Sequence, residues 1–247
     1  MHDLDYLRIV IDETSVCPYL PEQTSRMPLR VPCETVTAVK LDELLEAGYR
    51  RSGWFYYRTQ CPSCSACEPL RINVDTFRPN RSQSRAKKMG DQCLKVTWRE
   101  PIVDERRVEL FNKHRRARGL DKDNPPADAA DYTAFLVHTS CPTVELGLWL
   151  GERLLSVAIT DVGDRSLSAV YCCFDPEFSK LSLGTYAILT QIEWARARKR
   201  KDSQTAWLYL GLYVERNPHL NYKAKFMPHQ RLINRHWREF TREATGP

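Results

Sequence analysis

The chain has 247 residues, 42% apolar and 28% charged, with a formal net charge of +6; this is an ordinary globular composition, long enough for one large domain or two small ones. No run of about 18 apolar residues occurs, which argues against a membrane span, and the charged N-terminus lacks the apolar centre of a signal peptide. Nine scattered cysteines, an odd number, point to reduced thiols in a cytoplasm rather than to a disulfide scaffold, and the clustered cations suit polyphosphates.

Residues 1–36 hold Pro18, Pro21, Pro28 and Pro32 and read as irregular, because proline removes donors and restricts the residue before it. Residues 39–47 predict a helix with Leu41, Leu44 and Leu45 on one face and Gly48 as its stop. The stretch Arg50 to Arg71, RRSGWFYYRTQCPSCSACEPLR, spaces Cys61, Cys64 and Cys67 as C-x2-C-x2-C behind a strand at Trp54 to Arg58. That spacing gathers sulfurs around one small volume, which holds a metal, a substrate or only a folded loop. Leu70, Ile72 and Val74 alternate with Arg71, Asn73 and Asp75, the pattern of a half-buried strand.

A helix is expected from a Ser82 cap to a Gly90 stop. It follows or carries Arg78, Arg81, Arg85, Lys87 and Lys88 with no acid between them, and Ser82, Gln83 and Ser84 as further donors. A nucleic-acid backbone contact is favoured over a merely solvated face. A strand over Leu94 to Trp98 precedes a helix over 104–118, capped by Asp104, with Val108, Leu110 and Phe111 inward and Lys113-His114-Arg115-Arg116 at its negative end. A loop over 121–128 leads to a helix through Tyr132, Phe135 and Leu136. Composition shifts put a seam between about 90 and 105, dividing the chain into an N-terminal region, 1–95, and a C-terminal domain, 96–247.

Three antiparallel strands follow, Thr143 to Leu150, Leu154 to Thr160 and Leu167 to Phe174, turned by Gly151-Glu152 and by residues 162–165. Ser182 then caps a long helix with Leu183, Tyr186, Leu189 and Trp194 among its apolar residues and a basic tail, Arg196, Arg198, Lys199, Arg200 and Lys201. A short strand at Trp207 to Gly211 and a mixed segment to Pro228 complete the pattern. This order suggests an α+β, GNAT-like acyltransferase fold with an antiparallel sheet and flanking helices, plus a smaller cysteine-containing N-terminal region. In such a fold Lys180 to Thr185 stands where a helix N-terminus meets phosphates. Its lone Gly184 disfavours acetyl-coenzyme A, and the strand order disfavours the other competing reading, a zinc-dependent nucleic-acid-binding module.

Several stretches, in order and over most of the chain, carry a closer resemblance: Cys17-Pro18-Tyr19-Leu20, GYRRSGWFYYRTQCPSCSACEPLRINVDTF, FRPNRSQSRAKK, YCCFDPEFSKLSLGTYAILTQIEWAR and YLGLYVERNPHLNYKAKFMP. The chain resembles the bacterial aspartate/glutamate leucyltransferases, relatives of eukaryotic arginyl-tRNA–protein transferases. The resemblance implies transfer of leucine, or arginine, from aminoacyl-tRNA to the α-amine of proteins beginning with Asp or Glu, making a degradation signal. The activated ester comes with the tRNA, so no cofactor is expected.

Within that reading Arg58, at a strand end before the cysteine loop, is expected to bind the acceptor carboxylate, with Tyr57, Arg71 and Lys223 as neighbours, because arginine offers a planar fork. Arg81, Arg85, Lys87, Lys88, Lys180 and Arg198 are expected to hold tRNA phosphates. Asp175, after the third strand, and Tyr186 are the candidate catalytic groups. Two departures stand out. Leu20 occupies the second place of an N-terminal cysteine pair, so whether Cys17 joins Cys61, Cys64 and Cys67 at a metal or packs a loop stays open, and no metal is assigned. Asn217-Pro218-His219-Leu220-Asn221 replaces the usual Cys-Pro-Lys-Met before Tyr222-Lys223. Cys172 and Cys173 read as core thiols.

Overall fold

A computed structural model describes residues 5–121, 124–199 and 206–242. Arg200 and Lys201 of the expected basic tail, and residues 122–123 of the expected loop, lie outside these. The described part of residues 1–36 is not irregular throughout: it holds β1 (Leu7–Ile11), β2 (Thr14–Val16), β3 (Thr24–Arg26) and β4 (Leu29–Pro32). The prolines stand where strands tolerate them. Pro18 and Pro21 lie between β2 and β3, Pro28 lies between β3 and β4, and Pro32 ends β4. Then α1 (Ala38–Glu46) starts at Thr37, whose hydroxyl accepts from the Lys40 amide. β5 (Arg50–Ser52) and β6 (Phe55–Tyr57) form a hairpin that completes an antiparallel sheet of order β1-β4-β6-β5.

The large sheet follows. Its elements are β7 (Glu68–Asn73), α2 (Arg81–Cys93), β8 (Lys95–Arg99), α3 (Glu105–Ala117), α4 (Ala129–Tyr132) and β9 (Thr143–Leu150). After them come β10 (Arg153–Val162), β11 (Ser166–Phe174), α5 (Leu183–Lys199), β12 (Trp207–Tyr213), β13 (His229–Ile233) and β14 (His236–Phe240). The strand order is β14-β13-β7-β12-β11-β10-β9-β8, antiparallel throughout except for the parallel pair β11–β12. The boundary expected after residue 95 immediately follows the first residue of β8, whereas β7, well before it, lies between β12 and β13.

Both faces of this sheet are covered. On one, Leu70, Ile72, Leu167, Leu208 and Leu210 pack against Ile188, Leu189 and Ile192 of α5, and Leu146, Leu148, Leu155 and Ala158 pack against Leu183, Tyr186 and Ala187. On the other, Val157, Ile159 and Cys173 meet Leu110, Phe111, Tyr132 and Leu136, and Tyr209 meets Leu41, Leu44, Leu45 and Tyr56. Double covering corrects the half-buried reading of β7, in which Arg71 is buried along with Leu70 and Ile72. It is accommodated by Glu46, by Gln230 at 3.0 Å and by Tyr209 at 3.0 Å, and lies between the rings of Trp207 and Trp237 at 3.9 and 4.0 Å.

α2 also departs from expectation at both ends. Asn80, not Ser82, caps it, in a reciprocal box with Gln83. The helix also runs through Gly90 to Cys93, because that glycine is a contact rather than a stop: a Cβ there would fall inside the ring of Tyr186.

The two sheets are tied by an ion pair with almost no solvent. The Arg51 guanidinium donates from Nε and Nη2 to Asp161 at 2.8 Å each, both side chains being 1% exposed, and a third bond runs to the Gly53 carbonyl. Removing one member leaves the other charge buried and unpaired, so Arg51→Met is expected to lower unfolding free energy by about 3–5 kcal/mol. Arg51→Met combined with Asp161→Leu should lose clearly less. Guanidinium denaturation of both variants checks this, and equal losses would deny the buried pair its role.

Candidate active site where two strands part

β11 and β12 pair only through Ser166–Trp207, Leu167–Leu208 and Ser168–Tyr209. Beyond these residues β11 continues along β10 as far as Phe174, while β12 bulges between Tyr209 and Gly211 and follows β7 to Tyr213. The carboxyl ends of two parallel neighbours are therefore left unpaired with each other, and this parting is the kind of opening where open sheets receive ligands.

The opening is built from distant parts of the chain. On the β12 side the Arg50 guanidinium rests against Gly211, whose φ is +82° and whose Cβ position it would otherwise share. Lys223, buried, donates to the Leu212 carbonyl at 2.6 Å from the 3₁₀ turn Asn221–Lys225. Burial, and then the Arg50 charge, lower its proton affinity well below that of an ordinary lysine. Tyr222, 38% exposed, feels Cys172 of β11 on one side and Arg118 and Arg50 on others, and burial is the largest influence pushing its hydroxyl up to about 12. Tyr19, whose ionisation is opposed first by burial and then by Tyr57, stands next to Arg50 and Cys67. The wall beneath is Cys17, Leu20 and Val214, against which Tyr19, Cys64, Cys67 and Leu220 pack.

All nine cysteines are free. Cys67 is pushed up to about 12 by burial first and then by Cys17, Cys61 and Cys64, so the four thiols share one neighbourhood and the Cys67 thiol is disposed to stay protonated. Among the described residues no three His, Cys, Asp or Glu side chains converge as a metal site requires. The four cysteines as arranged do not fit a resident metal, and no step below uses one.

The expected site residues separate into three groups. Tyr57 and Lys223 lie at the opening, but Lys223 is buried against a carbonyl and is not free to take a carboxylate. Arg58 instead lies over the Tyr49 ring at 5.1 Å and donates to the Ala47 carbonyl at 3.4 Å, and Arg71 is enclosed as described. Asp175 is 3% exposed; burial opposes its charge, but Lys113 at 2.8 Å and Arg153 at 2.7 Å outweigh that and hold it below the usual carboxylate range, as a poor proton acceptor. Tyr186, buried between α2 and α5, donates to Asp91 at 2.9 Å and lies apart from the residues gathered at the opening.

Of the expected phosphate contacts, Arg81, Arg85 and Lys88 are exposed on α2 and Lys180 on the 3₁₀ turn Pro176–Leu181. Lys87 is bound to Asp91 and Glu193 at 2.5 and 3.0 Å, and Arg198 is laid on Trp194 and donates to the Gly163 carbonyl. Arg50, Gly211, Tyr19 and Tyr222 were missed as site residues. One signal was present: an isolated glycine inside the apolar run Trp207-Leu208-Tyr209-Leu210-Gly211-Leu212 marks a bulge or a close approach.

Two family models match the chain: "Arginine-tRNA-protein transferase, N terminus" over residues 15–85 and "Arginine-tRNA-protein transferase, C terminus" over residues 106–233. The chain belongs to the arginine-tRNA-protein transferase family. Arg50 falls in the first match and Gly211, Tyr222 and Lys223 in the second, so both contribute to the opening. The chain is similar to proteins named aspartate/glutamate leucyltransferase. It is 34% identical over 236 residues to that of Vibrio vulnificus strain YJ016, covering 95% of this chain and 98% of the relative. It is 36% identical over 244 residues to that of Teredinibacter turnerae, covering 96% of each. A crystal structure of FemX is similar at a TM-score of 0.43 and 10% identity over 69% of this chain and 59% of that one, too little to build on. Among the described residues no helix is long and apolar enough to cross a membrane.

Two buried histidines make the fold sensitive to acid. His114, whose Nδ1 lies 3.2 Å from the Phe174 carbonyl at the end of β11, and His229, whose Nδ1 lies 3.1 Å from the Phe226 carbonyl, are each lowered to about 4, chiefly by burial. Between that value and the unfolded value of 6.5 the unfolded chain binds more protons, so stability falls as pH falls. From pH 7 to pH 5 the expected loss is on the order of 2 kcal/mol per histidine. Urea midpoints at the two pH values should therefore converge when His114→Gln and His229→Gln are combined.

Proposed function

We propose that this chain transfers leucine from its tRNA to the α-amine of proteins beginning with Asp or Glu, marking them for degradation. The observation that carries the reading is the parting of β11 and β12, with an arginine, a buried lysine and tyrosines gathered from both family-matched segments at the opening. Near-full-length similarity to proteins named aspartate/glutamate leucyltransferase supports the substrates. Nine free thiols agree with work in a cytoplasm, where charged tRNA is available.

The chemistry is a single acyl exchange. The acceptor's uncharged α-amine attacks the aminoacyl ester carbonyl, a C–N bond forms, and the ribose oxygen leaves and gains the proton that nitrogen loses. The opening contributes alignment of two bound substrates and exclusion of water, which can supply much of the rate. The ester is already activated, so no bound cofactor enters.

The exposed face of α2, with Arg81, Arg85 and Lys88, is assigned to tRNA phosphates, which position the donor without reading bases. Reversing the three charges is expected to weaken tRNA binding and to make the slope of log K against log salt shallower by about 3. An unchanged slope would return this face to solvent. The reaction itself is tested with purified protein, leucyl- and arginyl-tRNA, and peptides beginning with Asp, Glu, Ala or Lys. Labelled leucine is expected on the acidic peptides only, and equal labelling of Ala peptides would overturn the acceptor assignment.

A further inference from the structure

Four arginines lie between residues 50 and 71, and three of them are accounted for. Arg51 is closed in its pair with Asp161, Arg58 lies on Tyr49, and Arg71 is held by Glu46 between two indoles. Arg50 differs from all three. Its Nε is buried and has no hydrogen-bond partner. Among the described residues its guanidinium meets no carboxylate, although the buried cationic side chains of Arg51, Arg71 and Arg107 each have one.

The absence of an acid is accompanied by a built seat. Gly211 leaves its Cβ position to the guanidinium, at a backbone φ of +82°. Lys223 stands nearby with its nitrogen committed to the Leu212 carbonyl, and the hydroxyl groups of Tyr19 and Tyr222 feel the Arg50 charge. A cation with part of its donor set buried and unused is unfavourable unless an anion completes it. A guanidinium fork fits a carboxylate through two parallel bonds. The half-buried setting against a glycine suits one small planar anion better than a phosphate on a polymer, which the exposed cations of α2 suit.

We propose that Arg50 reads the side-chain carboxylate of the acceptor's first residue, with Gly211 providing the room. This rests on the transfer reading above and takes the role expected of Arg58. Arg50 is a specificity residue: it holds the acceptor so that the α-amine reaches the opening between β11 and β12, and it takes no part in proton transfer.

The test compares peptides beginning with Asp and Asn, and with Glu and Gln, on the full chain with leucyl-tRNA, for wild type, Arg50→Gln, Arg50→Lys and Gly211→Ala, each checked for folding by thermal unfolding. The expected result for Arg50→Gln is a fall of 10- to 100-fold in the Asp:Asn ratio of kcat/KM, carried by the KM of the acceptor. Arg50→Lys should retain part of the ratio, and Gly211→Ala should lose it with the arginine still present. An intact ratio in Arg50→Gln overturns the proposal, as does a rise confined to the KM of the tRNA, which would make Arg50 a phosphate contact. Calorimetric binding of the same peptides separates the two readings. Preference for Asp over Asn that disappears in Arg50→Gln supports Arg50 even if no leucine is transferred, whereas absence of any preference in wild type overturns it.

Discussion

The parting of β11 from β12 is the constraint on which the rest of the molecule depends. Each of the two strands has a stronger attachment on its far side: β11 to β10 along most of its length, and β12 to β7 through the bulge at Tyr209 and Gly211. Parallel pairing survives for three residues, and then the two antiparallel neighbours pull the strands apart. The opening is thus a result of pairing competition rather than of a flexible loop, and it is held open by backbone hydrogen bonds on both flanks. The buried contacts of α5 on one face and of α1 and α3 on the other fix those flanks.

Adjacent arginines show how one strand serves two surfaces. Successive side chains of an extended chain point to opposite sides, so Arg51 enters the interior toward Asp161 while Arg50 reaches Gly211. The first fastens the small sheet to the large one; the second carries its charge to the rim of the opening. The structural role of Arg51 and the ligand-directed role proposed for Arg50 are therefore divided by parity along three residues of β5.

Where local signals were strong the fold was legible. The helix over 104–118 and its Asp104 cap, the Gly151-Glu152 hairpin, and the three-strand run before the long helix all rest on capping and turn chemistry within a few residues. What local signals do not carry was misread. Gly90 reads as a stop because a ring from α5, far along the chain, is not visible from α2. The alternation around Arg71 reads as a half-buried strand because the enclosure of Arg71 requires Glu46, Trp207 and Trp237 together. The β13–β14 hairpin passed unnoticed because its turn, Asn234-Arg235, takes positive φ at both residues without a glycine. At the site, the sequence singles out Arg58 and passes over Arg50, since telling them apart depends on which already has company: Arg58 lies over Tyr49 and donates to the Ala47 carbonyl, whereas the Arg50 Nε is buried without a partner.

The position of β7 within the large sheet also governs when the fold can be completed. Its partners β12 and β13 are near the other end of the chain, and Arg71 and Tyr209, which touch, are 138 positions apart. During synthesis β7 leaves the ribosome long before either neighbour exists, and its apolar residues must wait unpaired. An incomplete chain lacking the last strands has neither the central ladder nor the opening that β12 borders. Assembly of the site thus waits until β12 and β13 have been made, and a fragment without them has no partial version of it to offer.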